Sequence, residues 1–594
     1  GLLRCCIVPA ARGQVARHIA AQCASRLGNR APHALWLVMV AQPTNHTLII
    51  AIPPQSGSGR VTALVVDTKR VLDSDAETAA AMVDAAAASD SLTHHRWREI
   101  MGRDALTRRF YRELESAVGD MASSARGPAP DDARREMALL TASRLLFLAF
   151  LEAKGWLNRD RAFLRNRFDL LCTQGGGAHH RLLAPLFFGT LNTPVNRRSA
   201  SASAFGRVPF LNGGLFARTA LEKRWRSTTF TDEAIGRVVC DLLGRFRVTA
   251  REESVSWSEA AVDPEMLGRA FESLMASDDR RRSGAFYTPL PIIERVTSAG
   301  LDRCLAGMGI SDTPRRLALN REPIPVADRR PLLAAVTALR VIDPACGSGA
   351  FLVHLLERLA DIRGLAGDLR STSTRRRDVL TGSIFGVDVN PMAVWLCELR
   401  LWLSVVIDAE ETDGIGVAPL PNLDHHIRVG DALSGPGFDE AAPVGITDLS
   451  LLRRRYANAT GARKRTIGRS LDATERRIAV QHLRGRMHLL DAKRRELLVA
   501  LRGRDLFDRR VAPSAAQRIQ LTSLRQAARE ARRREASLRS GGALPFSFPI
   551  QFADATPRSG FDLVLGNPPW VRLHRIGAAA RADLANRYRS WRDA

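Results

Sequence analysis

The chain has 594 residues, 45% hydrophobic and 25% charged, the composition of an ordinary soluble protein long enough for several domains with cores of their own. Its 87 Lys and Arg outnumber 62 Asp and Glu, giving a net charge of +25 and an isoelectric point near 11.0. Such a surplus favours a polyanionic partner, because each neutralised phosphate releases counterions; the plainer reading is an Arg-rich composition with no specific partner.

Residues 1–104 read as a mixed α/β region, with strand-like runs at 34–41, 47–52 and 61–66. Asp67-Thr-Lys69 could supply half of a metal nuclease's acidic site. No Asp or Glu precedes Asp67, so the usual upstream ligand has no candidate and an active nuclease is not expected. Residues 105–282 read as a helical domain with Gly-rich loops at 175–177 and 211–215. Its most apolar stretch, 137–157, contains Arg144, Glu152 and Lys154, and so predicts a buried core helix rather than a membrane span. Eight scattered cysteines form no matched C-x-x-C pairs; neither a zinc site nor a disulfide framework is expected, and a reduced, cytoplasmic setting fits. No signal-peptide pattern opens the chain. It begins with Gly1 and ends at Ala594 without an obvious terminator, so a fragment is expected.

After residue 283, short apolar runs at 339–342, 384–387, 427–429 and 561–565 alternate with amphipathic helices, the pattern of a parallel α/β sheet. The first half of that domain is assigned to 283–449 and its continuation to 542–594. Between them, 450–541 is an Arg-rich insertion of helical period. Two readings of it stay open: a solvated hairpin or coiled coil, or a contact surface for a DNA backbone.

The chemistry concentrates at the ends of those strands. In Val341-Ile-Asp-Pro-Ala-Cys-Gly-Ser-Gly-Ala-Phe-Leu352 an apolar strand ends at Asp343. Small residues follow at Ala345, Gly347 and Gly349, allowing a ligand to approach the backbone closely before a helix opens. Leu352 stands where a dinucleotide loop would need its third Gly, and the acid before the turn suits a cationic ligand. Asp388, ending Ile384-Phe-Gly-Val-Asp388, is placed to accept ribose hydroxyls, and Asp431 after the third strand could accept an adenine amino group. In Phe561-Asp-Leu-Val-Leu-Gly-Asn567-Pro-Pro-Trp570 a strand feeds an Asn-Pro-Pro turn. Proline fixes φ and removes N–H donors, so Asn567 and Pro568, with Pro569 stiffening the turn, present carbonyl oxygens to both hydrogens of an –NH2 group. Trp570 offers a face on which a base can stack, worth roughly 1–3 kcal/mol.

These residues resemble the amino-methyltransferase superfamily, and the Asn-Pro-Pro-Trp form resembles its adenine-N6 branch. Phe286, Tyr287, Thr288 and Pro289 match that branch's F-Y-T-P segment, which in the family closes over the methionine end of S-adenosylmethionine. The motif order is that of the gamma arrangement. Segments at 145–157, 210–216 and 263–268 also look like the large Type IIG restriction-modification methylases and the methylases of BREX phage-defence systems. The resemblance implies an S-adenosylmethionine-dependent methyltransferase fold, Rossmann-like with a mostly parallel sheet, behind a largely helical N-terminal region. It implies a cytoplasmic, metal-independent enzyme that methylates adenine in double-stranded DNA, with no membrane partner and with other defence-system subunits as possible partners. Asn567, Pro568, Pro569 and Trp570 would be catalytic; Phe286, Tyr287, Thr288, Asp343, Ala345, Gly347, Gly349, Asp388 and Asp431 would bind cofactor. The family sheet has seven strands and a target-recognition domain farther on, whereas four strands are visible here, so the catalytic domain is expected to be C-terminally truncated. The competing expectations are a non-catalytic DNA-binding or scaffold subunit of a defence complex, and an Asn-Pro-Pro methyltransferase acting on rRNA or a release-factor glutamine.

Overall fold

The computed structural model describes the chain apart from residues 1, 12–14, 32, 55–59, 87–88, 213, 250–256, 264–265, 267–287, 408–415, 434–445, 501–513, 543, 545, 553–554, 556–559, 570–575, 578–580, 582–583 and 586–594. Phe286, Tyr287 and Trp570 therefore lie outside the described residues, as does much of the 263–268 segment. The chain forms two compact units. One comprises Gly1–Ser283, Leu369–Arg377 and Trp395–Leu420; the other comprises Gly284–Asp368, Asp378–Val394 and Pro421–Ala594.

The first unit holds a five-stranded sheet in the order β1 (Leu3–Pro9), β2 (Leu35–Gln42), β3 (Thr47–Ile52), β4 (Val61–Asp67) and β5 (Trp257–Glu259). The β2–β3 and β3–β4 pairs are antiparallel, while β1 and β5 join the edges in parallel. Helix α1 (Ala16–Arg30) lays Ala16, Ala20 and Ala24, spaced one turn apart, against this sheet, and all three are buried. Both the mixed stretch and the helical stretch of the sequence belong to this unit, because β5 returns from the latter to pair with β4.

Helix α2 (Asp131–Ala153) is buried over almost its whole length. Its one interior cation, Arg144, donates to both Glu222 oxygens at 2.5 and 3.0 Å and to the Leu215 and Ala217 carbonyls at 2.7 and 3.0 Å. A buried charge is tolerated only when paired and hydrogen-bonded in this way. Among the described residues no helix is long and apolar enough to cross a membrane.

The second unit is built on four parallel strands in the order β8 (Ile427–Val429), β7 (Ile384–Asp388), β6 (Val341–Asp343) and β9 (Leu563–Val564). β6 and β7 are buried on both faces, as expected of strands covered by helices on each side, whereas Val429 of β8 and Val564 of β9 are exposed. Gly300 of helix α3 (Leu290–Gly307) lies so close to Leu563 and Leu565 that an added Cβ would come within 3.0–3.2 Å of them. Helix α4 (Ala350–Leu365) follows the Gly turn, burying Phe351, Leu352, Leu355, Leu356 and Leu359. Helix α5 (Pro391–Ile407) follows β7, with its residues from Trp395 onward counted in the first unit. On the other face Phe385, Phe546, Phe552 and Phe561 pack edge to face.

The insertion is helical: α6 (Ile446–Ala457), the forty-residue α7 (Gly461–Ala500) and α8 (Ala515–Arg539). Arg484–Glu535 and Asp491–Arg532 contacts, with residue numbers rising in α7 as they fall in α8, make those two helices an antiparallel hairpin.

Candidate active site

In the second unit the first three strands in sequence run β6, β7, β8 toward one edge, and the chain then crosses back to place β9 on the far side of β6. Strand order thus reverses between β6 and β9. In open parallel sheets ligands bind outside the carboxyl ends of the strands at such a reversal. The sequence puts its acids and its Asn-Pro-Pro turn at those same carboxyl ends: Asp343 closes β6, Asp388 closes β7, Asp431 follows β8, and Asn567 follows β9.

The pairing of Ile342 with Val564, extended by the Leu565 N–H to the Ile342 carbonyl at 3.0 Å, carries Asp343 up to the Asn-Pro-Pro turn. A Cβ placed on Gly566 would meet Asp343 Oδ1 at 2.5 Å. Position 566 therefore has no room for a side chain beside Asp343, a constraint that the motif did not single out; the signal available was a Gly directly preceding Asn567. The Asn567 Nδ2 donates to Thr288 Oγ1 at 3.2 Å, which engages the amide's donor end and leaves its carbonyl oxygen as the end available to another donor. Thr288, expected beside a cofactor, is thus also tied directly to the Asn-Pro-Pro turn. Pro568 and Pro569 are exposed.

The small-residue turn has the backbone its composition calls for. Gly347 and Gly349 sit at φ 52° and 86°, conformations that a side chain would strain. Cys346 N–H bonds the Val387 carbonyl at 2.9 Å, stitching the turn to β7. Among the described residues Asp388 is held by backbone N–H groups: Oδ2 accepts the Gly347 N–H and Oδ1 the Asn390 N–H, each at 2.9 Å. Asp343 Oδ1 accepts the Ala345 N–H at 3.0 Å. Asp431, exposed, accepts the Leu433 N–H at 2.9 Å, one residue beyond the Gly430 N–H that bonds the Asp388 carbonyl at 2.8 Å.

Among the described residues no Arg, Lys or His forms an ion pair with Asp343 or Asp388. Burial pushes the Asp343 carboxyl up to about 7; the Ala345 N–H opposes that rise and the charge of Asp388 adds to it. Burial also raises Asp388, against the pull of N–H groups from Asn390, Gly347 and Val389. A positively charged ligand would relieve both carboxylates. The residues thus assemble a small-residue turn, uncompensated negative charge and an amide oxygen at one reversal point.

Residues 382–593 match the family model of the Eco57I restriction-modification methylase. A putative type II restriction enzyme and methyltransferase of Methanocaldococcus jannaschii is 26% identical over 492 residues, 74% of this chain and 41% of that protein. The adenine-specific methyltransferase PglX of Streptomyces coelicolor is 33% identical over 110 residues, 18% of this chain and 9% of that one. The Type IIL restriction-modification enzyme MmeI, solved in complex with DNA, is 20% identical with a TM-score of 0.38, covering 55% of this chain and 40% of that chain. The chain spans less than half the length of the curated relatives it matches.

Proposed function

We propose that this chain carries the catalytic core of a site-specific DNA adenine-N6 methyltransferase, which uses S-adenosylmethionine and serves restriction-modification or phage defence. One observation carries the reading. Asn567, its Nδ2 engaged by Thr288, follows the strand beside Asp343 at the point where the sheet's order reverses.

The residues present fit the cofactor. Asp343 and Asp388 offer negative charge that, among the described residues, no cation offsets, and Gly347 and Gly349 hold positive φ where a ligand must approach the backbone. S-adenosylmethionine, when bound, supplies a methyl group already activated on a positively charged sulfur. Asp343 would balance positive charge near the turn, Asp388 would accept the ribose hydroxyls, and Asp431 would accept the nucleoside's amino group. By the family resemblance Phe286 and Tyr287 would cover the methionine end, and Ala345 would leave room beside the turn.

For the target base, the Asn567 and Pro568 carbonyl oxygens accept the two N6 hydrogens, which favours a pyramidal nitrogen whose lone pair leaves the ring. Pro569 stiffens that turn, and Trp570 stacks on the base and offsets part of the few kcal/mol needed to flip it from the duplex. Positioning supplies most of the rate.

Tritium-labelled S-adenosylmethionine with duplex DNA tests the reading: label is expected on adenine N6. A gel shift without incorporation would overturn it in favour of a non-catalytic DNA-binding subunit, and label on rRNA or protein alone would overturn the DNA substrate.

A further inference from the structure

The site just described accounts for the strand tips but not for where the chain's charge sits. Helices α7 and α8 together carry 18 Arg and Lys against 6 Asp and Glu, a surplus of 12 within 65 residues. That charge is ordered. On α7, Arg477, Arg484 and Arg495 recur at intervals of 7 and 11 residues; on α8, Arg518, Arg525, Arg529 and Arg532 recur at 7, 4 and 3. At 3.6 residues per turn each set falls on one stripe, with seven residues spanning ~10.5 Å. All seven side chains are exposed.

The two stripes rise on the same side of the hairpin. In antiparallel helices, residues that lie the same angular step past the shared seam project to the same flank. The seam contains Leu483 of α7 with Ala531 and Leu538 of α8, and Arg484–Glu535 and Arg532–Asp491 bridge across the helices at that flank. Arg486, Lys493 and Arg534 fall on the opposite flank by the same geometry.

The hairpin is also fixed at its root. Glu475 of α7 accepts from Arg428 of β8 at 2.8 Å and from Arg453 of α6 at 2.6 Å. Arg453 continues to the Ile550 carbonyl, and these side chains are largely buried. A paired, buried cluster of this kind is costly to break, so the hairpin is joined firmly to the edge of the β8–β7–β6–β9 sheet.

We propose that the two-railed Arg flank of the α7–α8 hairpin grips the phosphate backbone of duplex DNA without reading its sequence, and so holds the duplex in register for the strand-tip site. This rests on the DNA-methyltransferase reading for its choice of polyanion. Two rails about 8–10 Å apart, each presenting guanidinium groups at intervals of one to three turns, suit the phosphates of an extended polyanion rather than a single small anion. Guanidinium forks match phosphate oxygens in pairs.

Two triple variants of the whole chain, each removing three charges, test the assignment: Arg477→Gln, Arg525→Gln, Arg529→Gln on the rails, and Arg486→Gln, Lys493→Gln, Arg534→Gln on the other flank. Binding of a 30-base-pair duplex of arbitrary sequence is followed by fluorescence anisotropy against salt. The rail variant is expected to flatten the slope of log affinity against log salt by about 3, at about 0.9 per lost phosphate contact, while the opposite-flank variant changes it by less than 1. Equal losses in the two variants, or none in either, would overturn the proposal. So would polyglutamate or single-stranded RNA competing as well as duplex DNA. Thermal melting of both variants within a few degrees of the parent certifies that they fold. Calorimetry with S-adenosylmethionine separates the two readings: intact cofactor binding with no rail effect sinks the hairpin assignment alone. A rail effect without cofactor binding sinks the methyltransferase reading alone.

Discussion

Asp67 closes β4 and Glu259 closes β5 in the first unit, much as Asp343 closes β6 and Asp388 closes β7 in the second. The partners of these four carboxylates differ. Asp67 pairs with Arg161 at 3.0 Å, and Glu259 is clasped by Arg17. Asp343 and Asp388 are answered by backbone N–H groups, and among the described residues by no cation. A strand-tip acid whose charge is met inside the fold has nothing left for a ligand. One that is held in position by N–H donors but not neutralised keeps its charge for something that arrives. The distinction marks Asp343 and Asp388 as the candidate ligand-facing carboxylates without reference to any motif.

The largest effect expected concerns the residue beside the second pair. Asn567→Ala removes the side-chain acceptor proposed for the amino group and leaves the acids untouched. Methyl transfer to duplex DNA is expected to fall by about 10²-fold or more, the scale of losing one preorganised hydrogen-bonding partner, with cofactor affinity within about threefold. Single-turnover rates and calorimetry measure the two separately; unchanged adenine methylation would remove Asn567 from the site.

Asp388→Asn comes next. The carboxylate accepts an N–H on each oxygen, so an amide must turn its own NH2 against either Gly347 or Asn390 and also loses the charge. Hydrogen bonds to charged groups contribute about 1.5–3 kcal/mol, and S-adenosylmethionine affinity is expected to drop by roughly 10- to 100-fold. Retained affinity would mean that the contrast between the two sets of acids has no functional content.

Much of this was legible because doubly buried parallel strands write themselves as unbroken apolar runs. The run at 384–387 and the acid that ends it at Asp388 needed no tertiary information. β5 is different: three residues, Trp257–Glu259, become a strand only because β4 offers a free edge. Which strands lie side by side was also hidden. No local pattern says that β9 crosses back beside β6, and the neighbourhood of Asp343, Gly566 and Asn567 depends on that crossover. The insertion shows a further limit. Its Arg-rich period makes every cation look solvated, yet Arg453 is buried against Glu475. Only packing separates the anchoring arginine from those on the exposed rails.

Acidity offers a smaller effect of known sign. Burial, with the Asp388 charge adding, raises folded Asp343 from 3.8 to about 7. The folded protein therefore holds a proton that the unfolded chain has already released, and stability falls as pH rises between about 4 and 7. Cofactor binding runs the opposite way, since the ionised carboxylate attracts the cation. Between pH 6 and 8 the ionised fraction of a group near 7 rises about tenfold, and affinity is expected to rise by about that factor. Asp343→Asn should flatten both profiles. An affinity independent of pH in the unaltered chain would show that Asp343 does not meet the ligand's charge.

The smallest expected effect returns to the first sheet. The Asp67–Arg161 pair has an Arg side chain 63% exposed, and exposed pairs contribute at most about 1 kcal/mol. Asp67→Asn should therefore shift thermal unfolding by a few degrees or less and leave cofactor binding and methyl transfer within about twofold. The same variant tests the acid for nuclease chemistry, because Asp67 at the end of β4 and Lys69 just beyond it form a nuclease-like pair. If purified chain cleaves duplex DNA with magnesium and Asp67→Asn abolishes the cleavage, a neutralised strand-tip acid is functional after all, and the rule drawn from the two sheets fails at its first member.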